Sequence, residues 1–188
     1  MANITPLKNY RILIVDNDID LAKVLRSMLA EMGFVHSEST SSGAEAFRML
    51  KNQPYDFLIT EWSAQQMTGI DLVKHIRRAP DSPSPTLPII MLTGRAEQMD
   101  VFTARDFGIN EFVVKPFTAK TIYNRIERII ENPRQFVVSP GFVGPSRRAR
   151  GAPPPGVSDR RVRKLQPQLQ PKDVHGAMRS SQQPCAWL

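Results

Sequence analysis

The chain has 188 residues and is 41% hydrophobic, enough for one ordinary domain but not for two large ones. Its charge is segregated: residues 1–132 carry 15 basic and 16 acidic residues, whereas residues 133–188 carry 10 and 2, so the net +7 resides in the tail. A single cysteine, Cys185, excludes an internal disulfide framework and a Cys-based zinc site, and no apolar run approaches the roughly 18 residues of a membrane span, so a cytoplasmic protein with no membrane insertion is expected.

In chain order, the first element is the apolar run Arg11-Ile-Leu-Ile-Val15, a buried strand closed by the polar cluster Asp16-Asn17-Asp18. From Ile19 to Met32, apolar residues recur at three and four, which predicts a helix ended by Gly33. Phe34 to Ser39 reads as a weaker strand. Ser42, with Glu45 three residues on, predicts the capped start of a second helix. Asp56 to Thr60 is a third strand and Ile70 to Ile76 a third helix. The four prolines between Ala79 and Pro88 make a loop before a fourth strand, Ile89 to Leu92. A helix over Gln98 to Phe107, a strand over Phe112 to Val114 and a helix over Thr118 to Ile130 complete an alternating series. Five strands alternating with five helices predict an α/β fold, a doubly wound five-stranded parallel sheet covered on both faces.

Beyond Asn132 the periodicity stops, and residues 133–188 hold 9 of the 16 prolines. A Pro- and Arg-rich, disorder-prone tail is expected there, with Gln135 to Ser139 as a segment able to form an edge strand or to dock as an arm. Residues 1–132 are expected to fold alone.

Ligands of open parallel sheets bind where the strands end, so the polar residues that follow each apolar run form the candidate site. These are Asp16, Asn17 and Asp18 after the first strand, Glu61 after the third, Thr93 after the fourth and Lys115 after the fifth. Carboxylates suit a hard cation, while a lysine and a hydroxyl suit phosphoryl oxygens; together they point to a phosphoryl and Mg²⁺ pocket.

The segments Ile-Leu-Ile-Val-Asp16, Asp56-Phe-Leu-Ile-Thr-Glu61-Trp62, Met67-Thr68-Gly69, Met-Leu-Thr93-Gly94 and Val-Val-Lys115-Pro116-Phe117 resemble, in register over residues 10–131, the CheY-like receiver domain of bacterial two-component response regulators. The resemblance implies a non-catalytic signalling protein. In the family an aspartate after the third strand takes a phosphoryl group from a histidine kinase, two acids after the first strand help to bind Mg²⁺, and the Thr and Lys positions hold the acyl phosphate. It also implies a cis Lys115–Pro116 bond, a switch that couples Thr93 to Phe112, and a partner face made by the fourth helix, fifth strand and fifth helix.

Two departures fall in the pocket itself. The phosphoacceptor position holds Glu61, whose carboxylate lies one methylene farther out, and misplacing a nucleophile costs several kcal/mol of barrier. Asn17 replaces an acid, which leaves Asp16 and Glu61 as a weak Mg²⁺ pair. A pseudo-receiver is therefore expected, with Glu61 either standing in for the charged state by reaching Lys115 or Thr93 or simply inert. The rival reading is a working phosphoacceptor in which Asp18 or Glu61 compensates. A third reading rests on the tail, where Arg147, Arg148 and Arg150 form one cluster and Arg160, Arg161 and Arg163 another, near Phe136 and Phe142. Guanidinium forks hold phosphate and pair with guanine, so a nucleotide or a nucleic acid is the expected tail ligand, and cyclic di-GMP is the nucleotide implied by a further resemblance. The tail resembles, by composition, the arginine-rich extensions of CheY-like cyclic di-GMP effectors.

Overall fold

The structure, a computed structural model, describes residues 7–62, 67–94, 107–139, 142–146 and 163–165. Strands β1 (Arg11–Val15), β2 (His36–Thr40), β3 (Phe57–Glu61), β4 (Ile89–Thr93) and β5 (Glu111–Val114) form one parallel sheet in the order β2-β1-β3-β4-β5. Helices α1 (Ile19–Glu31), α2 (Gly43–Asn52), α3 (Gly69–Arg78) and α4 (Ala119–Glu131) cover it. The central strands are apolar at every position because successive side chains enter two different cores. Leu13, Leu58 and Met91 pack toward α2 and α3, whereas Ile12, Ile14, Ile59 and Leu92 pack toward α1 and α4.

The helix starts follow the sequence signals. The Ser42 hydroxyl accepts the Glu45 N–H, and the Thr118 hydroxyl accepts the Thr121 N–H, so each satisfies an orphan donor of a first turn. Gly33 takes a φ of 100°, which lets the Phe34 N–H bond back to the Leu29 carbonyl and turns the Phe34 ring into the core. That turn moves the second strand later than the sequence suggests, to a polar edge segment. The helix expected over Gln98 to Phe107 lies outside the described residues apart from Phe107.

Residues 136–139 and 142–145 form strands; the first falls in the segment expected as an edge strand or docking arm, the second in the tail expected to be disorder-prone. Strands β6 (Phe136–Ser139) and β7 (Phe142–Pro145) pair antiparallel, and β8 (Arg163–Leu165) pairs with the other edge of β6. The physical reason is one anchor: the Phe136 ring is 1% exposed and buries a large apolar area. The four-residue β6 lies within the expected Gln135 to Ser139 segment, whereas β7 is not foreseen by the sequence.

Candidate functional site

The parallel register brings the ends of β1, β3, β4 and β5 to one edge, with Val15 beside Thr60, Glu61 beside Leu92 and Thr93 beside Val114. Asp16 follows β1 and is 2% exposed. Its Oδ1 accepts the Asp18 N–H at 2.9 Å, and its Oδ2 accepts from Lys115 Nζ at 2.9 Å. Asn17 beside it is exposed. Asp18 is committed to the start of α1, where its Oδ1 accepts from the Asp20 and Leu21 N–H groups at 3.1 and 3.0 Å. That role as a cap, which the sequence reading did not assign, works against Asp18 as a compensating acid.

Glu61 ends β3, and its backbone is fixed by the start of α3. The Gly69 N–H donates to the Trp62 carbonyl at 2.8 Å, and a Cβ on Gly69 would fall 2.0 Å from the Glu61 carbonyl oxygen. Thr68 caps the same helix by accepting the Asp71 N–H at 3.1 Å. The Met67-Thr68-Gly69 motif is therefore a tight joint between strand and helix that holds Glu61 in place. Glu61 Oε1 accepts from Lys115 Nζ at 3.0 Å, while Oε2 is buried without a hydrogen-bond partner among the described residues.

Lys115 is the centre of the arrangement. Its N–H donates to the Thr93 carbonyl at 2.7 Å, the Lys115–Pro116 bond is cis as the resemblance implies, and its ammonium bridges two carboxylates. Burial works against that ammonium, but hydrogen bonds and charge from Asp16 and Glu61 outweigh it and leave the Lys115 pKa above its ordinary value. Glu61 is pushed above the usual carboxylate range, first by burial and then by Asp16, with Lys115 pulling the other way. Thr93 is buried at the same edge, and Phe112 is half-buried against the core on the α2 and α3 side.

Of the carboxylate oxygens of Asp16 and Glu61, only Glu61 Oε2 lacks a hydrogen-bond partner among the described residues. Both Asp16 oxygens already accept hydrogen bonds, Glu61 Oε1 faces the lysine, and the neighbouring Asn17 is neutral. Among the described residues, no group of three or more His, Cys, Asp or Glu side chains is placed to hold a metal.

Of the tail residues, Arg147, Arg148, Arg150, Arg160 and Arg161 lie outside the described residues, and Arg163 contributes backbone to β8. Phe136, expected beside a ligand, is instead buried in the docked hairpin, which leaves Phe142 as the half-buried aromatic of that pair. The sequence reading missed Arg77. It follows Ile76 on the apolar face of α3 and is 3% exposed, a placement that its charge alone disguises.

A doubly wound parallel sheet with a buried aspartate, a buried threonine and a half-buried lysine at its strand ends places these side chains on the edge where open α/β sheets bind ligands. Residues 12–127 match the response regulator receiver domain, and the chain belongs to that family, which acts in two-component signalling. Chemotaxis protein CheY-3 of Vibrio cholerae is 36% identical over 124 residues, covering 66% of this chain and 94% of that protein. CheY of Pseudomonas aeruginosa is 36% identical over 121 residues, covering 64% and 96%. Among solved structures, chemotaxis response regulator CheY4 of V. cholerae aligns with a TM-score of 0.57 at 25% identity, covering 64% of this chain and 98% of that one. The receiver domain of a P. aeruginosa sensor histidine kinase, whose structure has a magnesium ion coordinated in the active-site cleft, aligns with a TM-score of 0.57 at 25% identity, covering 63% and 95%. Among the described residues no helix is long and apolar enough to cross a membrane.

Proposed function

We propose that this chain is a CheY-like pseudo-receiver: it acts by protein contact in a two-component pathway of the cytoplasm, without catalysis and without taking up a phosphoryl group. The observation that carries the reading is the Lys115 ammonium held between Asp16 at 2.9 Å and Glu61 at 3.0 Å. The lysine that would meet an incoming phosphoryl group is already paired with the residue at the acceptor position. Glu61 then acts as a built-in anion for Lys115, and Mg²⁺ binds weakly because the cation site lacks its second acid. The partner, a histidine kinase or a downstream target, meets the face formed by β5, α4 and the helix expected over residues 98–107.

Acetyl phosphate with Mg²⁺, followed by intact-mass spectrometry, tests this reading. The wild-type chain is expected to show no phosphoryl-sized mass increase, and the double change Asn17→Asp with Glu61→Asp is expected to gain one. A phosphorylated wild type supports the working phosphoacceptor instead.

The tail supports a second, compatible reading as a site for cyclic di-GMP or a nucleic acid. The favouring observation is that all excess positive charge lies beyond residue 132 and is mostly arginine.

A further inference from the structure

The hairpin of β6 and β7 lies beyond the family match, which ends at residue 127, yet it is seated on the receiver through Arg77. The Arg77 guanidinium is held by uncharged oxygens: Nε donates to the Gly108 carbonyl at 3.0 Å, Nη1 to the Pro85 carbonyl at 2.8 Å and Nη2 to Asn110 Oδ1 at 3.3 Å. No carboxylate pairs with it among the described residues, and burial pushes its pKa down to about 9, so it stays charged at neutral pH. The Phe136 ring covers the guanidinium with its centroid 4.9 Å away, a cation–π contact strengthened by desolvation.

Two glycines let the backbones touch. A Cβ on Gly144 would fall 2.5 Å from Gly108 Cα, and one on Gly108, whose φ is 83°, would fall 2.4 Å from the Val143 carbonyl oxygen. The linker adds a third contact, since Arg134 Nη2 lies 3.7 Å from Glu111 Oε1. All three contacts converge on residues 108–111, which lead directly into β5. Asn110 ties the same stretch to β4 by accepting the Ile89 N–H at 3.0 Å and donating its own N–H to the Ile89 carbonyl at 2.9 Å.

We propose that the β6–β7 hairpin is a regulatory strap that, when docked, sets the entry to β5 and through it the placement of Phe112 and Lys115. Release of the strap frees that strand end, and the pairing of β8 with β6 joins the basic tail to the same device. The proposal stands whether or not the pocket takes a phosphoryl group and whatever the tail binds.

Hydrogen exchange on the full chain tests it, comparing wild type with Phe136→Ala and Gly144→Val. Loss of protection in β6 and β7 reports release. With the strap released, amides of Phe112 to Lys115 are expected to exchange about tenfold faster or more, while those of β1 and β3 keep their rates. Unchanged β5 protection after release overturns the proposal, and so does an equal rise in all strands, which is the mark of general destabilisation. If those variants fail to fold, Arg134→Gln leaves Phe136 in place and removes the strap's own arginine from Glu111, which keeps Arg125 and Arg128 of α4. It is expected to speed β5 exchange about threefold, and no change there also overturns the proposal.

Discussion

Lys115 faces two carboxylates with one charge, so the triad carries a net negative charge in a place with little water. Because burial and Asp16 raise the Glu61 pKa, the folded chain keeps a proton that the unfolded chain gives up once pH passes the ordinary glutamate value. Stability contributed by this site therefore falls as pH rises from the ordinary value toward the raised one. Lys115 loses its contribution in the same direction but in a later window: it is present through neutral pH and is lost only as alkaline pH passes its raised folded value. Glu61→Gln is expected to abolish the acidic-side slope and to be more stable than wild type near neutral pH, relative to its standing at about pH 4 to 5. Urea unfolding midpoints across that range measure it, and parallel curves for the two proteins would contradict the shift. The sequence makes the identity of these residues legible, since each directly follows an apolar strand. It also allows the reach of Glu61 toward Lys115, but not the second bond from the same ammonium to Asp16, which depends on where one long side chain settles among three strands.

At the scale of elements, the joint between β3 and α3 does most to position the pocket. A methyl group on Gly69 would lie 2.0 Å from the Glu61 carbonyl oxygen and also against Thr60 Oγ1, so a strand end or a helix start must move. Gly69→Ala is expected to cost about 2 kcal/mol in denaturant unfolding and to displace Glu61 from Lys115. A variant as stable as wild type would show that the joint yields freely. The strands β1, β3 and β4 were readable as unbroken apolar runs because both their faces are covered. The helices were readable from their spacing and caps. The edge strand β2 starts two residues later than the sequence suggests because its polar sequence carries no core pattern, and the position of Phe34 depends on the turn at Gly33. Of the hairpin, β6 is legible as the segment Gln135 to Ser139, whereas its pairing with β7 is not, because that depends on seating on Arg77 and Gly108, residues far away in sequence.

For the whole molecule, charge divides the work. The receiver part carries net −1 over residues 1–132 and the remainder +8, so any anionic ligand is drawn to the region beyond the α/β sheet. The docked hairpin moves the expected edge of the independent unit from residue 132 to Ser146, whose N–H donates to the Gln135 carbonyl at 2.7 Å and closes the strap. A chain ending at Ser146 is therefore expected to unfold cooperatively, whereas one ending at Asn132 loses the Phe136 cover over Arg77 and is less stable by about 3 kcal/mol. The same truncation after Ser146 removes both arginine clusters and is expected to abolish tail binding. The salt dependence of the full chain then separates the two ligand classes. Cyclic di-GMP brings only about two phosphate charges, so its affinity declines gently with salt, whereas a single-stranded oligonucleotide contacting most of the clusters falls with a slope of about 0.7 per phosphate engaged. Replacing Arg147 and Arg148 together, or Arg160 and Arg161 together, with alanine is expected to cost about 1–3 kcal/mol of binding, because each pair removes forks that hold phosphate or guanine. Calorimetry at low salt that finds no binding of either probe to the full chain, or equal binding to the Ser146 truncation, would leave the basic tail without this role and place the recognition of partners on the receiver alone.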